Sequence, residues 1–127
     1  MFETILLPIN TLKFNLQKTE KAIHFARHNI VRLIILYFSE HQSASLNTSD
    51  GISYATSILK DLIVQNDVVC DVIHRRGKEA IVICEIADEL NVDLIVMGAQ
   101  GINLLKESQN ITSRVIKTAN CPVLIIP

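Results

Sequence analysis

No apolar run in this sequence is long enough to span a bilayer, neither sign of charge is in excess, and no cysteine pair has the C-x-x-C spacing. Each absence removes a class of function. LIILYF (Leu33 to Phe38), among the longest apolar runs, is strand-sized and excludes a membrane helix. Twelve basic against thirteen acidic residues leave a net charge of −1, so nothing electrostatic argues for nucleic acid or an anionic membrane as a partner. Cys70, Cys84 and Cys121 are widely spaced, which excludes both a zinc site and a disulfide framework. The opening MFETILLPIN has neither a basic n-region nor a small-residue cleavage site, so a cytoplasmic protein is expected.

What is present fits one domain spanning residues 1–127. Of its residues 49% are apolar and 20% charged, an ordinary globular balance. Short apolar runs alternate with amphipathic segments from end to end. TILLPI (Thr4 to Ile9) reads as a strand, and Leu16 to Asn29 as a helix with Ala22, Ile23, Phe25 and Ala26 at helical spacing. RLIILYF (Arg32 to Phe38) reads as a second strand buried on both faces. A polar loop from Ser39 to Gly51 leads to a helix marked by Ala55, Leu59, Leu62 and Ile63. VVCDVIH (Val68 to His74) is expected as the third strand, and Gly77 as the opening of a helix lined by Ala80, Ile83, Cys84, Ala87 and Leu90. DLIVM (Asp93 to Met97) is the fourth strand. A helix with Ile111, Val115 and Ala119 on one face follows, then a fifth strand, PVLII (Pro122 to Ile126).

This alternation predicts an α/β fold, a five-stranded parallel sheet with helices on both faces. Ligands of such sheets bind at the carboxyl ends of the strands, where the strand order reverses. The reversal is expected between the first and fourth strands. Pro8 to Thr11 and Gly98 to Gly101 are therefore the segments to examine.

The same residues carry a resemblance. ILLPIN at the start, GKEAIVICEIADELNVDLIVMGAQG (Gly77 to Gly101) and RVIKTANCPVLIIP (Arg114 to Pro127) stand in order at the spacing of the universal stress protein family. The resemblance covers nearly the whole chain. It implies a Rossmann-like domain of the adenine-nucleotide alpha-hydrolase type with strand order 3-2-1-4-5, in a family of stress-response proteins that are usually homodimers. Some members bind ATP and others do not.

In the ATP-binding members the phosphates rest on Gly-x-x-Gly, nine residues, and then Gly-Ser or Gly-Thr opening the last helix. Gly98 and Gly101 match the first half. Counting nine residues on from Gly101 reaches Ile111 and Thr112. Aligning back from CPV places the pair at Gln109 and Asn110, which keeps Val115, Ile116 and Ala119 in helical register. In either alignment the second glycine is absent, and a side chain there obstructs the close approach of backbone N–H groups to a phosphate. The helix end still offers free N–H groups, which Asn110 or Ser108 can cap instead, and Lys106 brings a positive charge beside Glu107. Asn10 replaces the acidic residue that the family places after the first strand. Phe38 stands where members commonly put a small aliphatic residue against adenine. Pro8, Asn10, Phe38, Met97, Gly98, Gly101, Gln109 and Asn110 thus outline a degenerate nucleotide site.

Other candidates have plainer readings. His24 and His28 are four apart on one helix without a third ligand, so they read as solvent-facing. Ser39, Glu40 and His41 lack the glycines of a nucleophile elbow. Cys70 and Cys84 read as small core residues, and Cys121 as the thiol to test for reactivity. No metal site, acid–base pair or activated nucleophile is expected, and hence no enzyme. The leading reading is a dimeric stress-response binding module that does not depend on ATP, has no cofactor, acts on a protein partner, and pairs through Pro122 to Ile126. The alternative is an ATP- or AMP-binding sensor with weak ATPase activity and an altered phosphate loop. A flavin-binding protein is the third.

Overall fold

The central strands form where apolar residues run without interruption, because a strand covered by helices on both faces has no polar side to show. The computed structural model describes residues 3–9, 16–29, 32–39, 57–98 and 111–127. Five strands, β1 (Thr4–Ile9), β2 (Arg32–Ser39), β3 (Cys70–Arg76), β4 (Leu94–Gly98) and β5 (Val123–Ile126), make one parallel sheet in the order β3-β2-β1-β4-β5. The helices are α1 (Leu16–Asn29), α2 (described over 57–66), α3 (Glu79–Glu89) and α4 (Ile111–Thr118). The order is the expected one, and the reversal falls between β1 and β4.

Alternation along the strands divides the core into two layers. Ile5, Leu7, Ile9, Leu33, Ile35, Tyr37, Leu94 and Val96 pack with Ala22, Ile23 and Ala26 of α1 and Leu59 and Leu62 of α2. Leu6, Ile34, Leu36, Ile95 and Met97 pack on the opposite face against Val82, Ile83 and Ile86 of α3 and Val115 of α4. Each fully buried Leu or Ile here contributes about 1.5–3 kcal/mol relative to exposure.

The amino-terminal ends of the strands are tied by one carboxylate. Asp93 Oδ2 accepts from the backbone N–H of Glu3 at 3.0 Å and of Thr4 at 2.9 Å. The N–H of Asp93 in turn donates to the Thr4 carbonyl at 2.9 Å. This fixes β4 beside β1 from below.

β3 departs from expectation. It runs Cys70–Arg76 rather than Val68 to His74, since Arg75 and Arg76 continue the pairing with Phe38 and Ser39 of β2. Unlike β2, it is not buried on both faces: Val72 is 58% exposed, and Cys70 is only partly covered. As an edge strand with one neighbour it escapes full helical cover. Exposed Asp71, His74, Arg75 and Arg76 accordingly line it. Arg32 reaches across from β2, with Nη2 2.7 Å and Nε 2.8 Å from Asp71 Oδ2. At that exposure the pair contributes little, up to about 1 kcal/mol. β5, the opposite edge, begins at Val123, one residue later than expected, because the Pro122 carbonyl serves only as acceptor for Ile95 N–H at 3.0 Å.

Candidate functional site

The crevice at the reversal is built by a proline. The Glu3 carbonyl accepts from Arg32 N–H, so Glu3, Ile5 and Leu7 direct their backbone groups toward β2. Strand alternation then directs Thr4, Leu6 and Pro8 toward β4. Pro8 has no N–H to give, and the recorded pairing of β1 with β4 ends at Leu6 and Ile95, short of the carboxyl ends. β1 and β2, by contrast, pair over the full six residues of β1.

Gly98 closes β4 at this crevice. The hydroxyl of Thr112, in the first turn of α4, donates to the Gly98 carbonyl at 3.1 Å, and Thr112 is 3% exposed. This bond holds the start of α4 against the end of β4. From the other side comes Lys18, in the first described turn of α1. A Cβ placed on Gly98 would stand 3.2 Å from Lys18 Cδ and 3.7 Å from its Nζ. The lysine stem therefore lies across the glycine. Neither α1 nor α4 has an acidic residue in its first described turn.

Of the residues marked from sequence, Pro8, Met97 and Gly98 lie at the carboxyl ends of β1 and β4, with Met97 buried at 8% exposure. Phe38 lies near the end of β2, paired with Arg75, and only its backbone is described. Asn10, Gly101, Gln109 and Asn110 lie outside the described residues, as do Lys106 and Ser108. Sequence reasoning did not single out Lys18. It reached Thr112 by counting and then set it aside in favour of helical register.

The other candidates separate cleanly. His24 and His28 are exposed on α1. Among the described residues no three His, Cys, Asp or Glu side chains are placed to hold a metal ion. Burial, and then the Asp71 carboxylate, push the Cys70 thiol up to about 11. Cys84 is raised by burial first, then by Asp88 and Cys121. Cys121 is raised by burial, then by the carboxylates of Asp88 and Asp93. Asn120 donates to both Asp88 oxygens, at 3.1 and 3.2 Å, and so keeps Asp88 beside Cys121. A thiol next to carboxylates holds its proton, so the structure gives Cys121 no activation.

Comparison with known proteins decides the family. The family model described as "Universal stress protein family" matches residues 1–127. The chain belongs to the universal stress protein family. Among curated relatives it is 29% identical over 136 residues to the universal stress protein Sll1654 of Synechocystis, covering 100% of this chain and 87% of that one. A universal stress protein solved in complex with cAMP has the same fold, with a TM-score of 0.76 at 20% identity, covering 98% and 96% of the two chains. So does a universal stress protein family protein of Arabidopsis thaliana solved with AMP bound, with a TM-score of 0.72 at 15% identity over 98% and 90%. Among the described residues of this universal stress protein, no helix is long and apolar enough to cross a membrane.

Proposed function

We propose that this universal stress protein is a non-catalytic regulatory module of the cytoplasm that binds a nucleoside monophosphate and does not depend on ATP. One observation carries the reading. The crevice between β1 and β4 ends in Gly98, held by Thr112, and no glycine follows Gly101 in the sequence. A triphosphate needs the second half of the family cradle, whereas one phosphate needs only close approach at a single glycine. Relatives of this fold solved with AMP and with cAMP carry ligands of that size. The module acts as a homodimer, two copies pairing through β5, and signals to a protein partner.

The experiment is thermal unfolding of nucleotide-stripped protein with millimolar AMP, and separately with Mg-ATP. A ligand bound only to the folded state stabilises by RT ln(1 + [L]/Kd), about 2.7 kcal/mol at a hundredfold excess over Kd. For a domain of this size that is a rise of roughly 10 °C. AMP is expected to give such a rise, with Mg-ATP giving less and releasing no phosphate. An equal rise with Mg-ATP accompanied by phosphate release would establish the ATP-sensor alternative. A flat response to both nucleotides would leave protein partners as the whole function.

A further inference from the structure

β3 is an edge strand, and its exposed side chains divide by kind along its length. Leu33 N–H donates to the Val69 carbonyl at 3.0 Å, so Val69, Asp71, Ile73 and Arg75 turn their backbone groups to β2. Cys70, Val72, His74 and Arg76 turn theirs outward. Pairing with β2 keeps one register from Cys70 to Arg76, so no bulge interrupts the outward row. Val64, Val69 and Val72 are the three most exposed large apolar side chains described, and the last two stand just before and within the first half of this edge.

The far end is cationic. Arg75, Arg76 and Lys78 are exposed, and none of them forms an ion pair among the described residues. Arg75 reaches only the neighbouring His74 carbonyl, at 3.2 Å. Asp71, the one carboxylate of β3, is held by Arg32, and Glu79 is buried in the first turn of α3. Cys70 packs in the layer under α1 and α2, and Ile73 in the layer under α3. Alternation therefore puts Arg76 on the first side and Arg75 on the second, so the cations flank the edge on both faces. Protection of the edge alone calls for a charge in the middle of the outward row, where Val72 stands.

We propose that the outer edge of β3 docks an extended acidic segment of a protein partner. The segment adds to the sheet through the outward N–H and C=O groups of Val72 and His74 and sets an apolar side chain beside Val72. Its carboxylates meet Arg75, Arg76 and Lys78. The same charges turn away a neutral or basic strand, so acidity is what admits one. A second copy of β3 offers no carboxylate beyond Asp71, which Arg32 already holds. Nucleic acid has no peptide backbone to continue the sheet. The inference rests on the protein-partner part of the reading above and not on its nucleotide.

Fluorescence anisotropy of labelled peptides tests this. The peptides alternate Val and Thr and carry a run of Glu at the amino end or at the carboxyl end. At least one is expected to bind, and exchanging its Glu run for Lys should weaken binding about tenfold or more, the scale of two or three surface ion pairs. N-methylation at every Val or, separately, at every Thr keeps the charges, and one of the two patterns should abolish binding. Joint Arg75→Glu and Arg76→Glu substitution should also cost about tenfold, and Lys78→Glu alone less. Should the double variant fail to fold, Lys78→Glu and a loss of wild-type affinity with rising salt carry the test. Equal binding of Glu and Lys peptides overturns the acidic partner, and full binding of both N-methylated forms overturns the added strand. No binding of either Glu peptide leaves the charges as protection of the edge. Tighter binding of an oligothymidylate than of the Glu peptides assigns the edge to nucleic acid instead. None of these outcomes touches AMP binding, which the unfolding measurement reads by itself.

Discussion

At the scale of single residues, Gly77 and Gly98 are glycine for different reasons. Gly77 has φ +134°, a conformation that L side chains rarely adopt, and an added Cβ would lie 2.8 Å from Val82 Cγ2. Val82 is buried in the layer under α3 and has little room to move. Gly77→Ala is therefore expected to cost about 3 kcal/mol, combining backbone strain with the clash, as read by urea unfolding. Gly98→Ala is expected to change stability by well under about 1 kcal/mol, because the atoms it meets are the far end of a flexible lysine. Equal costs at the two positions would contradict this distinction. In sequence Gly77 reads as the opening of a helix and Gly98 as the first half of a phosphate cradle, and neither reading contains these contacts. The positive φ of Gly77 and the lysine above Gly98 depend on contacts that only the assembled fold creates.

Among the elements, α4 and β4 define the crevice together, and Thr112 joins them. Its hydroxyl bonds the Gly98 carbonyl inside a covered site, and Val115 one turn on is fully buried beneath it. Thr112→Val keeps the branched shape and removes the donor, so about 1–2 kcal/mol of stability should be lost as the carbonyl loses its partner. AMP binding should weaken as well, since the start of α4 is no longer held at Gly98. Unchanged unfolding and unchanged binding would show that the bond positions nothing. β1, β2 and β4 were legible in the sequence because unbroken apolar runs have one good solution, burial under helices on both faces. β3 was legible as a strand but placed two residues early, because nothing in VVCDVIH marks where pairing with β2 begins. Its place at the edge is decided by the strand order, and Arg75 and Arg76 belong to the strand only because β2 extends far enough to pair with them. The reversal of strand order between β1 and β4 was legible from the alternation of elements. Lys18 was not, because the sequence separates it widely from Gly98 and only the fold brings α1 across.

The whole molecule presents two sheet edges of opposite character, and that contrast supports the proposed homodimer. β3 shows solvent Asp71, His74, Arg75 and Arg76, charges that discourage pairing with another strand. β5, with the sequence VLII, has no charge at all, and Val123, Leu124 and Ile125 are each partly exposed. Ile95 N–H donates to the Pro122 carbonyl, so alternation turns Pro122, Leu124 and Ile126 toward β4 and leaves Val123 and Ile125 with outward N–H groups. A second copy meeting the first across a two-fold axis would use those outward groups. Ile125→Pro removes one of them while sparing the bonds to β4, since proline is tolerated where the N–H faces away from the sheet. Light scattering on the wild type is expected to give twice the 14.2 kDa chain mass, and the Ile125→Pro variant a single chain mass. The variant's unfolding transition should remain cooperative, which separates a lost interface from a lost fold. A wild type of single chain mass rules out the dimer at the concentration measured. A variant that stays dimeric moves the interface away from β5, and the exposed valines Val64, Val69 and Val72 near β3 become the next surface to test.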